Sequence, residues 1–275
     1  MQILPLAPSC GVEITGVQLA DAAGATLEDV REAVYAHGVA VLRGQELSPQ
    51  EHIAFAQRWG GIDINNYFPL TDEHPEIAVV RKRENQQTNI GGGWHTDHSY
   101  DQVPAMGSIL VARVLPPSGG DTLYAHMGAV YDSLSDDLKR EIAGLEAFHT
   151  ADHIYAADGA YAQTDIGSEL RGQGMTTGAS HPVVIRHPAT GRRLLYVNPA
   201  FTVNIVGRSR ADSRPLLDRL YAAAMDPAHQ CRIDWEPGSV AIWDNRTTWH
   251  YAMNDYQGHA REMHRITLSG EALAA

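Results

Sequence analysis

Cysteine is nearly absent, with Cys10 and Cys231 the only two in 275 residues. Two thiols cannot build a disulfide scaffold or a cysteine-rich zinc site, so both are expected as plain buried thiols. Long apolar runs are missing as well. No uninterrupted segment is long enough to cross a bilayer, and the opening residues lack the basic stretch, apolar run and cleavage pattern of a secretion signal, so a cytoplasmic protein is expected. Positive charge is scarce: 21 Lys and Arg against 33 Asp and Glu leave a net charge of -12. That balance repels a phosphate backbone and an anionic membrane surface, which argues against nucleic acid or membrane partners. A small anion is still admissible, since it feels only local arginines. Repeats, low-complexity tracts and linkers are also lacking, so one domain over residues 1–275 is the simplest organisation.

The elements that can be read are short. Residues 11–17 alternate as a strand. Thr26 opens a helix, with Asp29 placed to reach back in a capping box, Leu27, Val30 and Val34 on one face, and Gly38 as its stop. Residues 39–42 form a buried strand. Ser48-Pro49-Gln50-Glu51 combines an N-cap, a first-turn proline and a capping-box acid, so a helix runs from there to Trp59 and ends at Gly60-Gly61. Residues 62–76 read as an irregular loop, 77–80 as a strand and 108–115 as another. Helical spacing recurs in Leu138, Ile142 and Leu145, and after Pro215 in Leu216, Leu217, Leu220 and Tyr221. Residues 150–180, rich in Gly, Ala, Thr and Tyr without a period, read as a mobile lid-like insertion. Strands then follow at 183–186, 194–197, 232–235, 240–243 and 263–268. Many short strands with turn signals between them point to an antiparallel sandwich or barrel, buttressed by helices outside.

The chemistry starts at Gly91-Gly92-Gly93-Trp94-His95-Thr96-Asp97-His98, where a flexible turn hands over to two ligand types two residues apart. If residues 94–99 are extended, His95 and Asp97 face the same way. One imidazole and one carboxylate are two corners of the site that suits Fe(II) with open positions, and a second histidine must come from elsewhere. Alone, the triplet fits an exposed turn with solvated polar groups equally well. Further on, a strand at 240–243 ends in a polar turn and presents His250. Arg261 and Arg265 flank Met263 among strand formers, so both guanidinium groups lie on one sheet face. They form either a solvated basic edge or a pocket wall that grips a carboxylate or another oxyanion.

Four blocks, Trp94-His95-Thr96-Asp97, Pro116-Pro117-Ser118-Gly119-Gly120-Asp121-Thr122, Trp243-Asp244-Asn245-Arg246 with His250, and Arg261 through His264-Arg265, stand in a familiar order. With weaker echoes at 38–45 and 187–198, the sequence resembles the Fe(II)/2-oxoglutarate-dependent dioxygenases of the taurine and 2,4-dichlorophenoxyacetate dioxygenase type, from about residue 11 to residue 270. The resemblance implies a mainly β fold with flanking helices, built on a double-stranded β-helix or jelly-roll core. It implies that His95, Asp97 and His250 bind iron as the catalytic centre, with 2-oxoglutarate and O2 as cosubstrates. Thr122 and Arg261 stand where the family holds the distal carboxylate of 2-oxoglutarate, and Arg265 where the taurine enzyme grips its sulfonate. Tyr155 and Phe201 fall at aromatic walls of that enzyme's pocket, and Tyr67 and Phe68 lie near its other substrate residues.

The implied activity is hydroxylation of a small anionic molecule of sulfonate, alkyl sulfate or phenoxyalkanoate type, releasing succinate and CO2. Gly91 replaces the asparagine with which the taurine enzyme contacts taurine, which argues against taurine itself. No general base is required, so His98, His126, His149, His153 and His264 read as structural. Relatives are often dimers or tetramers, so a homo-oligomer is expected. Two other readings stay open. His95-x-Asp97-His98 resembles half of a binuclear zinc signature of metallohydrolases, although Gly93 stands where another histidine is wanted, and a non-catalytic jelly-roll binder would keep the same ligands.

Overall fold

Val39-Ala40-Val41-Leu42 shows no alternation because the strand it forms, Val39–Leu42, is covered on both faces. Val39 and Val41 join Leu110, Ala241, Trp243 and Met263 in an inner layer. Ala40 and Leu42 pack outward on Val30 and Val34 of the helix Gly24–His37 and on Phe55 and Ala56 of the helix Pro49–Trp59. The computed structural model describes residues 1–170 and 178–275. Among these, an eight-stranded sheet runs in the order Gln2–Pro5, Val12–Thr15, Val39–Leu42, Val240–Asp244, Gly107–Val114, Arg261–Leu268 and Ile62–Asp63, with Ala78–Lys82 also paired to Arg261–Leu268. Its central pairings are antiparallel and join segments far apart in the chain.

A three-stranded sheet, in the order Gln230–Ile233, Thr122–His126 and Thr248–Ala252, faces the inner layer through Tyr124, Cys231 and Ile233. Its other side carries Ala125 and Trp249, which pack on Leu216, Leu217 and Leu220 of the helix Arg210–Ala224. The result is the mainly β core with flanking helices expected from the strand pattern. Burial of the apolar side chains of both sheets, at about 25 cal/mol per Å² removed from water, is the main force holding the layers together.

Local signals explain where the elements begin, with two corrections. The helix Gly24–His37 starts two residues before Thr26, its N-cap Ala23 makes no side-chain bond, and the expected Asp29 capping box is absent. Gly38 does end it, at φ 82, with its N–H bonded to the Val34 carbonyl. The helix read as following Pro215 begins instead at Arg210, where the Ser209 hydroxyl accepts from the Asp212 N–H. Pro215 lies inside it, at the cost of one intrahelical bond. Strands Thr122–His126, Glu146–Thr150, Gly178–Pro182 and Thr202–Ile205 were not legible in the sequence. Each is short and mixes polar and small residues, and its partner strands rather than its own pattern stabilise it.

Residues 171–177 of the expected lid-like insertion lie outside the described residues. The part before them contains the helix Asp152–Tyr155 and short turns at Ala160–Gln163 and Gly167–Glu169. It is fastened to the loop ahead of the glycine triplet: Asp165 accepts from the Gln87 and Thr88 N–H groups, Glu169 from the Gln86 amide, and the Tyr161 hydroxyl from the Gly91 N–H.

Candidate metal centre

His95 and His250 are directly opposed in an isolated antiparallel bridge, exchanging N–H to O bonds of 3.1 and 2.8 Å. Opposed residues of such a pair send their side chains to the same face, and here the two imidazole centroids lie 4.1 Å apart. Asp97 reaches them by a different route from the extended segment expected. Only His95 pairs as in a strand; residues 97–100 form a turn in which His98 adopts φ 60. Even so, one ligand atom each of His95, Asp97 and His250 lie within 4.8 Å of one another, all buried.

The electrostatics suit a cation. Burial alone would raise the Asp97 carboxyl, but Arg265, His250 and His95 outweigh it and hold the group well below the usual carboxylate range. Burial and the neighbouring His95 push the His250 imidazole down to about 3, leaving a neutral ring with a lone pair to offer. His95 Nδ1 lies 2.7 Å from the Gly93 carbonyl, to which it can only donate, and this frees Nε2 as the acceptor. His250 is steadied by rings: Trp243 at 5.0 Å and Tyr124, stacked, at 6.0 Å. Arg265 Nη1 donates to Asp97 Oδ2 at 3.1 Å, so one carboxylate oxygen is shared between the triad and the arginine.

Thr122 and Arg261 line the same chamber as the triad. Both arginines of the strand Arg261–Leu268 are buried, which excludes the solvated basic edge. Arg261 enters past Gly120, where a Cβ would come within 3.1 Å of its shaft, which accounts for one glycine of the Pro116–Thr122 block. Its Nε and Nη2 are buried with no hydrogen-bond partner among the described residues. A guanidinium held this way among Thr122, Tyr124 and Leu110 is a ready receptor for a carboxylate. The Thr122 hydroxyl accepts from Trp235 Nε1 at 3.0 Å and still has a proton to donate.

Tyr67, Phe68, Tyr155 and Phe201 come together in one buried cluster, with Arg265 over the Phe68 ring at 5.1 Å. Asn65 sets the first two in place, its side-chain oxygen accepting from both of their N–H groups. Sequence reasoning missed Tyr100, which packs on Phe201 at 4.8 Å, and Tyr124, whose buried hydroxyl has no hydrogen-bond partner among the described residues and lines the chamber. Alternation from Thr122 would have found Tyr124 once that segment was read as a strand.

Of the histidines read as structural, three have partners away from the triad. His98 pairs with Asp101 at 2.8 Å rather than joining the triad, His126 caps the helix Met127–Ser133, and His149 contacts Ser99. In the block Trp243–Arg246, Asp244 is buried and holds Arg246 and His187, while the Asn245 carbonyl accepts from the Thr96 hydroxyl beside the ligands. That block therefore ties together the two segments that carry His95 and His250.

The family model of the taurine catabolism dioxygenase TauD, TfdA family matches residues 2–267. The chain belongs to this family. An α-ketoglutarate-dependent sulfate ester dioxygenase of Pseudomonas putida is 34% identical, the match covering 98% of this chain and 90% of that one. An (S)-phenoxypropionate/α-ketoglutarate dioxygenase of Sphingobium herbicidovorans is 33% identical over 91% of this chain and 88% of its own length. Among solved structures, a taurine dioxygenase from Burkholderia xenovorans superposes with a TM-score of 0.81 at 31% identity, covering 99% of this chain and 90% of that chain. This TauD/TfdA chain is therefore an α-ketoglutarate-dependent dioxygenase with the jelly-roll core of its family.

Proposed function

We propose that His95, Asp97 and His250 hold ferrous iron, that Arg261 and Thr122 anchor the distal carboxylate of 2-oxoglutarate, and that Arg265 receives an anionic substrate. The observation that carries this reading is a buried set of two imidazoles and one carboxylate sharing a chamber with a guanidinium, Arg261, whose Nε and Nη2 have no hydrogen-bond partner among the described residues. Three protein ligands leave positions open on a six-coordinate iron, as oxygen chemistry requires. Bound there, iron and 2-oxoglutarate would supply an oxidant strong enough to hydroxylate an unactivated C–H bond, with O2 consumed and succinate and CO2 released.

The chain's own residues do the positioning. Tyr67, Phe68, Tyr155 and Phe201 exclude water around the reacting carbon and give an apolar or aromatic body something to pack on. The segment around 150–170, fastened over the glycine loop, is proposed as the lid of one catalytic domain. The substrate class is an organic sulfate, sulfonate or phenoxyalkanoate, in line with the names of the relatives. Assembly as a dimer or tetramer and a cytoplasmic location complete the proposal; no helix among the described residues is long and apolar enough to cross a membrane.

The test is anaerobic addition of Fe(II) and 2-oxoglutarate. A weak visible charge-transfer band is expected in the parent protein and none in His95→Ala. A protein that shows the band yet forms no succinate beyond background with any organic anion would be a binder instead of an oxygenase. Zinc-dependent ester hydrolysis that needs neither oxygen nor 2-oxoglutarate would favour the hydrolase.

A further inference from the structure

One loop, distant in sequence from His95 and Asp97 and from His250, touches the segment that carries each of them. It spans residues 196–201, between the strands Arg193–Leu195 and Thr202–Ile205. The Val197 carbonyl accepts from Trp249 Nε1 at 2.8 Å, next to His250. Asn198 Nδ2 donates to Ser99 Oγ at 2.9 Å, two residues beyond Asp97. The Phe201 ring stands edge-on to the His95 imidazole, with centroids 6.2 Å apart. Asn198 is the pivot of this loop, fully buried and bonded at both ends of its side chain. The Phe201 N–H donates to its Oδ1 at 2.9 Å, and because a backbone N–H can only donate, this fixes the amide with Nδ2 toward Ser99. The Asn198 N–H donates to Thr202 Oγ1 at 2.8 Å, and its carbonyl accepts from the Tyr221 hydroxyl at 3.1 Å, which ties the loop to the helix Arg210–Ala224.

The turn that carries Asp97 needs such a brace. His98 sits at φ 60, a conformation that is costly for a residue with a Cβ and persists only where the surroundings over-determine it. Asp97 is also drawn aside by Arg265, which takes one of its carboxylate oxygens. Its place beside the imidazoles therefore depends on what grips the residues after it. Ser99 is held from two sides, by the Asn198 amide and by His149, whose Nδ1 lies 3.1 Å from Ser99 Oγ and 3.2 Å from Thr202 Oγ1. His181 Nε2, 2.9 Å from the Asp101 carbonyl, steadies the far end of the same turn.

We propose that Asn198 is a positioning residue of the metal centre: through its bond to Ser99 it holds the Asp97 carboxylate in register with the two imidazoles, and through its bond to the Phe201 N–H it sets the ring that abuts His95. This rests on the reading of His95, Asp97 and His250 as the residues that hold iron. Asn198 touches none of the three itself. It acts on Asp97 through Ser99 and on His95 through Phe201, so its loss widens the spread of ligand positions without removing a ligand.

The experiment measures Fe(II) dissociation constants by anaerobic titration, and urea midpoints, for the parent, Ser99→Ala, Asn198→Ala, the double variant and Ser239→Ala. Ser239 is the control for lost stability: its hydroxyl is equally buried and accepts from the Glu236 N–H and Arg43 Nη1, outside the loop and the turn. Ser99→Ala and Asn198→Ala are each expected to weaken Fe(II) binding by about 10-fold, the lower end of what outer partners of metal ligands contribute. The double variant is expected to bind no more weakly than Asn198→Ala alone, because both changes remove one shared bond. Ser239→Ala lowers the urea midpoint and leaves Fe(II) affinity within about twofold of the parent. With 2-oxoglutarate added, the visible charge-transfer band moves in Ser99→Ala and Asn198→Ala and stays in place in the control, a change that lost stability does not produce. Fe(II) affinity in both variants equal to that of the control, or a double variant whose loss is the product of the single losses, overturns the positioning role while leaving the proposed function in place. If Asn198→Ala does not fold, Ser99→Ala against the control decides. If the parent binds no Fe(II), the proposed function and the positioning role fall together.

Discussion

At the scale of the residue, Arg261 is a buried guanidinium with two donors, Nε and Nη2, that have no hydrogen-bond partner among the described residues. Each buried donor left without a partner costs about 1–3 kcal/mol, more for a charged group, and Arg261 has two. An anion that satisfies both recovers that cost on binding, so Arg261→Met is expected to raise the KM for 2-oxoglutarate by at least about 100-fold. Arg261→Lys should fall in between, keeping the charge but losing the two-pronged grip. Succinate formation against 2-oxoglutarate concentration measures both. The sequence made Arg261 and Arg265 legible because even spacing on a strand is a local geometric fact. It placed Asp97 beside His95 for the wrong geometric reason, since the residue reaches the candidate triad from a turn in which His98 takes a left-handed conformation. Tyr124 stayed hidden because Thr122–His126 looks like the tail of a loop until its two strand partners are known.

At the scale of the element, the helix Pro49–Trp59 shows which signals a sequence carries by itself. Ser48 and Glu51 exchange both bonds of a capping box, an interaction contained in four residues, and it formed as read. Ser48→Ala is expected to cost about 1 kcal/mol, lowering the melting temperature by about 2–4 °C, which calorimetry of the two proteins would resolve. Thr26 and Asp29 have the same pattern but form no box, because the helix has already begun at Gly24 when the chain reaches them. The thiols behave in the same context-dependent way. Cys10 and Cys231 lie 3.2 Å apart between the N-terminal loop and the strand Gln230–Ile233, with the Cys10 thiol pushed up by the Cys231 hydrogen bond and by burial. Both are expected to resist alkylation in the folded protein and to react fully in denaturant, as thiol counting by mass spectrometry would show.

At the scale of the whole molecule, the pairing of strands from opposite ends of the chain could not be read from local pattern. Val39–Leu42 lies beside Val240–Asp244, and that beside Gly107–Val114, by tertiary packing alone. The folded interior also sets a response to acid. Burial pushes His52 and His149 down to about 3 and His126 to about 4. Between those values and the ordinary value near 6.5, the unfolded chain takes up protons that the folded chain refuses, so stability is full above that value and falls as the pH drops. Each such histidine contributes a slope of about 1.4 kcal/mol per pH unit, and denaturant midpoints measured from pH 7 to pH 4.5 should decline accordingly. The doubly bonded bridge between residues 95 and 250 has a last consequence. Because two imidazoles brought from distant parts of the chain meet only in the finished fold, an ion that clasps them favours that fold over every partly assembled one. If these residues hold iron as proposed, Fe(II) at about 100 times its dissociation constant is expected to add about 2.7 kcal/mol of resistance to unfolding. A cell short of iron would lose durability of this protein along with its turnover.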